Sequence, residues 1–161
     1  MAVLLWKHKD NGYLLAEWLM GIFLCGTVFS GLYMGIAGYE KALAAVQVEN
    51  AARELAQDIL LIRERALAGS DMGLIEVSNG CKGYWVCRRP NLVDKKRGFA
   101  SGGSETFQFT SIPAYKIRFS INGSPSASGI FILQHGRIKT VQVKVSLQPV
   151  TGRVRIERVR Q

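Results

Sequence analysis

Residues 13–39, YLLAEWLMGIFLCGTVFSGLYMGIAGY, form an apolar run in which Glu17 is the one side chain charged at neutral pH. As an α-helix, a run of this length extends about 40 Å, more than the roughly 30 Å hydrocarbon core of a bilayer. It is also about twice as long as the apolar core of a cleaved secretory signal, and no clear Ala-x-Ala cleavage site follows it. We therefore favour a retained membrane span over a cleaved signal.

The residues after the span continue the helical pattern. Strong helix formers dominate residues 40–68, and Gly69 and Ser70 end the pattern. Apolar residues recur at alternating steps of four and three, which places one apolar stripe on the helix. The stripe consists of Val48, Ala52, Leu55, Ile59, Ile62 and Ala66. The sequence predicts one helix over residues 13–68, membrane-spanning over 13–39 and amphipathic over 40–68.

From residue 69 onward the hydrophobic pattern changes to a period of two. Turn signals separate short segments that are rich in β-branched and aromatic residues. These segments are GLIEVSN, YWVCR, TFQFTS, YKIRFSI, GIFILQ, IKTVQVKVSL and GRVRIERV. We interpret the longer stretch KKRGFASGGS, residues 95–104, as a loop. The order of elements predicts an α+β fold, in which the helical stripe covers the apolar face of an antiparallel β-sheet domain over residues 69–161.

Positive charge is concentrated in the C-terminal part of the chain. Between residues 71 and 161, fifteen Lys and Arg stand against five Asp and Glu, a net charge of +10. The candidate DNA-binding residues are Arg153, Arg155, Arg158 and Arg160, with Lys139 and Lys144 nearby in sequence. An extended strand places alternate arginines on one face, which suits the phosphates of a DNA backbone. The alternative is electrostatic contact with neighbouring subunits or with lipid headgroups.

Cysteine and histidine residues are few. Cys81 and Cys87 flank KGYWV, a spacing that fits either a small disulfide loop in an oxidising compartment or two free thiols in a hairpin. His135 lies in a predicted turn and is expected at the surface. The sequence contains no metal-ligand set, no G-x-S-x-G and no phosphate-binding glycine motif. We therefore predict no enzymatic activity, no metal and no cofactor.

The N-terminal residues resemble the type IV prepilin signature. Lys7 and Lys9 precede Gly12, Tyr13 follows as an aromatic residue, and Glu17 is the fifth residue after Gly12. The resemblance implies a leader over residues 1–12, cleavage by a membrane peptidase between Gly12 and Tyr13, and methylation of the new N-terminus. It also gives Glu17 a role in assembly. Its carboxylate, which costs about 3 kcal/mol in a span, pairs with the N-terminal ammonium of a neighbouring subunit.

A second resemblance covers most of the chain. ENAARELAQDILLIRERALA, SGIFILQHGR and VTGRVRIERV are similar to segments of GspH/FimT-type pseudopilins, including a Gly-Arg-x-Arg element at residues 152–155. Because no proline precedes Pro90, whereas major pilins carry one in the span, the resemblance implies a minor subunit. It implies assembly into a type IV pilus-like or type II secretion filament. DNA binding by the basic tail, associated with some competence systems of this family, is the alternative function.

The resemblance also implies a location and partners. Because positive charge before a span keeps that end cytoplasmic, the C-terminal domain is expected on the exported side of the bacterial inner membrane. The implied partners are the prepilin peptidase and methyltransferase, other pilins or pseudopilins, an inner-membrane assembly platform and DNA. A plain single-span anchor protein is the competing interpretation.

Overall fold

The computed structural model describes residues 9–69, 73–89, 92–98 and 107–159, with side chains described from residue 13 onward except at Arg89. Within these residues one long helix precedes eight strands, which confirms the predicted α+β fold. The elements are α1 (Lys9–Leu67), β1 (Leu74–Val77), β2 (Tyr84–Arg89), β3 (Leu92–Arg97), β4 (Gln108–Ser111), β5 (Lys116–Arg118), β6 (Gly129–Gln134), β7 (Gln142–Leu147) and β8 (Val154–Arg158).

The chain divides into two compact units, residues 1–40 and residues 41–161. In the first unit every described side chain from Tyr13 to Glu40 is exposed, although the segment is strongly apolar. By length and composition, α1 qualifies as a helix that can cross a membrane. The helix begins at Lys9 and not at Tyr13, and it ends one residue before the predicted Ala68.

The described residues of the second unit form two antiparallel sheets. The first has the strand order β3-β2-β1-β5 and the second has the order β4-β6-β7-β8. In the first sheet β1 pairs with β2 through Ile75 and Val86, and it pairs with β5 through Ile75 and Ile117. In the second sheet Phe131 of β6 lies opposite Val145 of β7. Residues directly opposite each other share a sheet face, so these pairs build one apolar face on each sheet.

The helical part of the second unit covers both apolar faces. All six residues of the predicted stripe are buried, and they belong to one core cluster with residues of both sheets. The cluster includes Ile75, Val86 and Ile117 from the first sheet and Phe131, Leu133 and Val145 from the second. Each large apolar side chain buried this way contributes about 1.5–3 kcal/mol of transfer free energy. The predicted helical cover of the sheet is therefore confirmed.

Strand β3 was not predicted, and residues 95–97 within it were wrongly interpreted as loop. Its side chains are mostly exposed, so the strand carries no apolar alternation. It pairs with β2, and its charged side chains form ion pairs with α1. Asp94 pairs with Arg65 at 3.0 Å, and Lys95 lies 3.5 Å from Asp58. Charged side chains are typical of an edge strand, because they discourage pairing with other chains.

Cys81 and Cys87 are free thiols in the structure. Cys81 lies in the turn between β1 and β2, beyond the Val77–Tyr84 pair, whereas Cys87 lies opposite Leu74 at the other end of the hairpin. Tyr84 and Cys87 are three residue steps apart along β2, about 10 Å, whereas the Cα atoms of a disulfide lie within about 7 Å. The structure therefore favours two free thiols over the disulfide loop. Burial raises the pKa of the Cys87 thiol.

Candidate functional site

The predicted processing and assembly residues lie on α1. The backbone of Gly12 is helical, and the side chains of Tyr13 and Glu17 are exposed, Tyr13 to 80%. Glu17 lines a shallow groove along the helix surface together with Gly21 and Cys25. Residues four apart lie on one helix face, and Gly21 adds no side chain to that face. This face therefore leaves room for close approach of another helix.

Three of the predicted DNA-binding cations are already paired with acids of the same chain. Arg158 pairs with Glu49, and together with Arg53 it holds the pKa of the Glu49 carboxyl below its usual range. Arg155 lies 2.9 Å and Lys144 3.7 Å from the carboxylate of Glu157. Each of these acids lies beside the cation that it pairs with, so the ion pairs reduce the positive charge that β7 and β8 present to a ligand.

The predicted cations of β8 do not form a single row. Arg158 lies opposite the buried Val143, whereas Arg155 lies opposite Ser146. Arg158 and Arg155 therefore lie on opposite faces of the second sheet. Arg153 and Lys139 are exposed and have no ion pair among the described residues. Arg160 lies outside the described residues.

Gly152, the glycine of the Gly-Arg-x-Arg element, has a structural role. Its φ is 60°, in the region that favours glycine, and the residue is buried. A Cβ at this position would lie 2.7 Å from the carbonyl oxygen of Gly123 and 3.0 Å from Cδ of Arg63. Gly152 thus allows the turn before β8 to pack against the loop that contains Gly123 and against Arg63 of α1. This packing fixes the position of the backbone at the next residue, Arg153.

His135 was expected at the surface, and this expectation was wrong. The residue is only 9% exposed. Its Nδ1 accepts hydrogen bonds from the backbone N–H groups of Arg137 (3.2 Å) and Ile138 (3.0 Å). Since Nδ1 accepts, Nε2 carries the hydrogen and donates to Oε1 of Gln47 at 3.2 Å. His135 therefore shapes the β6–β7 turn and fastens it to α1.

A buried polar cluster joins α1 to the first sheet. The hydroxyl of Tyr84 donates to Oδ2 of Asp58, and Lys95 and Arg97 each approach this carboxylate to 3.5 Å. Burial, and secondarily the Asp58 charge, raises the pKa of Tyr84 well above its usual range. In the sequence Asp58 is a single acid on the helix, far from Tyr84, Lys95 and Arg97, so no sequence pattern indicates this cluster. Within the part of the chain that the structure describes, no group of three or more His, Cys, Asp or Glu can hold a metal ion.

The architecture is pilin-like, with one long N-terminal apolar helix whose second part packs on antiparallel sheet. No family model matches the chain, and neither the curated proteins nor the solved structures contain a match.

Proposed function

We propose that the protein is a minor pilin or pseudopilin that assembles into a type IV pilus-like or type II secretion filament. The observation that carries the proposal is α1 itself. Residues 13–39 are apolar and exposed, while the helical residues 41–67 supply the core stripe of an antiparallel β domain. A helix of this kind suits a subunit that is stored in a membrane and then packs its apolar half against other helices in a filament.

Gly12 and Glu17 give the proposal its chemistry. A prepilin peptidase cuts between Gly12 and Tyr13, and the new N-terminal amine of Tyr13 is methylated. An ammonium and a carboxylate are both costly in an apolar environment, and each offsets the cost of the other when they pair. The Glu17 carboxylate of one subunit therefore pairs with the Tyr13 ammonium of its neighbour. No catalytic activity of the chain itself is part of this proposal.

The proposal also assigns a location. The protein is a single-pass protein of the bacterial inner membrane, with its N-terminus cytoplasmic and its β domain exported. Its partners are the prepilin peptidase and methyltransferase, other pilins or pseudopilins, and the inner-membrane assembly platform.

N-terminal sequencing of the mature protein, from a bacterium that carries a prepilin peptidase, tests the proposal. We expect a chain that begins at a methylated Tyr13, and an uncut chain in the Gly12→Val variant. Gly21→Ala is the matched control, because an added Cβ there meets no atom within 4 Å and cleavage should be normal. A wild-type chain that still begins at Met1 would overturn the proposal in favour of a plain membrane anchor.

DNA binding during uptake is the second candidate function. It is supported by the net charge of +10 over residues 71–161 and by the exposed, unpaired side chains of Arg153 and Lys139 within the described part of the chain. Contacts to phosphates without reading of bases suit such a surface.

A further inference from the structure

Lys41, the first residue of the second unit, closely follows the apolar run that is proposed to span the membrane. Its position therefore depends on the proposed span, on which this inference rests. Tyr39 closes the apolar run, and tyrosine is enriched at the level of lipid headgroups. Lys41 follows two residues later, so chain connectivity alone keeps it within about 7 Å of Tyr39. The residues of the second unit that lie beside Lys41 are therefore also near the headgroups.

The β6–β7 turn lies at the Lys41 end of the second unit. Ala45 of α1 and Thr140 of the turn line one groove. The bond between His135 and Gln47 fastens the turn to the same stretch of α1. Lys41 precedes Ala45 by one helical turn and lies on the same helix face. Residues 136–140, GRIKT, therefore lie beside the start of the second unit's helix.

Positive charge dominates this region. Lys41, Arg137 and Lys139 are all exposed, and none has an ion pair among the described residues. Glu40 is the acid next to Lys41 in sequence, and the neighbouring Glu49 is already paired with Arg53 and Arg158. The His135 bonds hold the turn in one conformation, so binding a ligand requires little further ordering of the backbone.

We propose that Lys41, Arg137 and Lys139 form a surface that binds the headgroups of anionic phospholipids. The attraction of one Lys or Arg to an anionic membrane surface corresponds to about a fivefold gain in binding. Lipid is favoured over DNA because the anchor places headgroups at high effective concentration beside this surface, whereas DNA must arrive from solution. The contact orients the β domain on the membrane before the subunit enters a filament.

Amide hydrogen exchange of the full chain in lipid nanodiscs tests the proposal. Discs of phosphatidylcholine alone are compared with discs that also contain phosphatidylglycerol. We expect the amides of residues 136–140 to exchange at least about fivefold more slowly in the anionic discs than in the neutral discs. This difference in exchange rate should disappear at high salt. The Arg137→Gln/Lys139→Gln variant should lose the difference. The matched control, Lys96→Gln/Arg118→Gln, removes two other exposed cations without an ion pair in the described residues and should keep it.

Each other outcome has a distinct meaning. Equal exchange in both kinds of disc, with the chain inserted, overturns the lipid surface and leaves the proposed function standing. A chain that does not remain in the discs refutes the membrane span, and with it the proposed function. Loss of the difference in the Lys96/Arg118 control refutes the assignment to this turn. If duplex DNA slows the exchange of residues 136–140 in neutral discs and anionic lipid does not slow it, the ligand of this surface is DNA and not lipid.

Discussion

The hydroxyl of Tyr84 donates a hydrogen bond to Oδ2 of Asp58 at 3.0 Å, in a site where neither residue is more than 3% exposed. This bond connects α1 to β2, and the cations of β3 surround the same carboxylate. Removing the hydroxyl leaves a buried acceptor with one partner fewer. We expect Tyr84→Phe to lower the free energy of unfolding by about 1–3 kcal/mol, measured by chemical denaturation of the full chain in detergent micelles.

Tyr115→Phe is the matched control for this substitution, because Tyr115 is 52% exposed and should tolerate the change with little effect. An equal loss in both variants, or none in Tyr84→Phe, would contradict the structural role of the bond.

The same residue predicts a dependence on alkaline pH. Burial and the Asp58 charge raise the pKa of Tyr84 in the folded state, whereas in the unfolded chain the phenol titrates near its usual value of about 10. The stability that this neutral phenol contributes is therefore complete below pH 10 and is lost progressively as the pH rises above it. The free energy of unfolding should fall more steeply above pH 10 in the wild type than in Tyr84→Phe. Parallel curves for the two proteins would refute the shift.

Gly152→Ala tests the turn before β8. The substitution places a Cβ 2.7 Å from a backbone oxygen at a φ of 60°, so both steric overlap and backbone strain oppose it. We expect a loss of about 2–4 kcal/mol in the free energy of unfolding. Gly69→Ala is the control, because Gly69 has a similar φ of 68° but nothing within 4 Å of the added Cβ. It should cost about 1 kcal/mol, and equal losses would mean that the contact with Gly123 is unimportant.

The parts of the fold that were predicted correctly are those in which burial leaves a periodic pattern. The stripe from Val48 to Ala66 and the alternation of apolar and polar residues in β7 both record which side chains face the core. β3 lacks this record, because its side chains are exposed and its position depends on charge pairs such as Arg65–Asp94, 29 residues apart. His135 was misjudged for a related reason, since its side-chain partner, Gln47, lies 88 residues away.

The basic tail gives a prediction about which arginines contact DNA, if DNA is a ligand. Arg153 is unpaired within the described residues, whereas Arg158 is paired with Glu49. Arg153→Gln should therefore weaken binding to DNA of any sequence and make the dependence on log salt concentration shallower by about 0.9. Arg158→Gln should have a smaller effect. Binding measured by fluorescence anisotropy across a salt series checks this. No binding by the wild type would eliminate the second candidate function.

Glu17→Ala tests assembly directly. If the carboxylate pairs with the N-terminal ammonium of a neighbouring subunit, its removal leaves that ammonium without a partner in an apolar environment and should reduce incorporation into filaments several-fold. The measurement is the amount of this subunit that co-purifies with sheared filaments, relative to the amount in the membrane. Thr27→Ala is the matched control. Thr27 is also an exposed polar residue of the apolar run, but it bonds within its own helix, to the Leu24 carbonyl oxygen at 2.8 Å. Normal incorporation of Glu17→Ala would remove the role assigned to this carboxylate, while a loss in both variants would point to a general defect of the span.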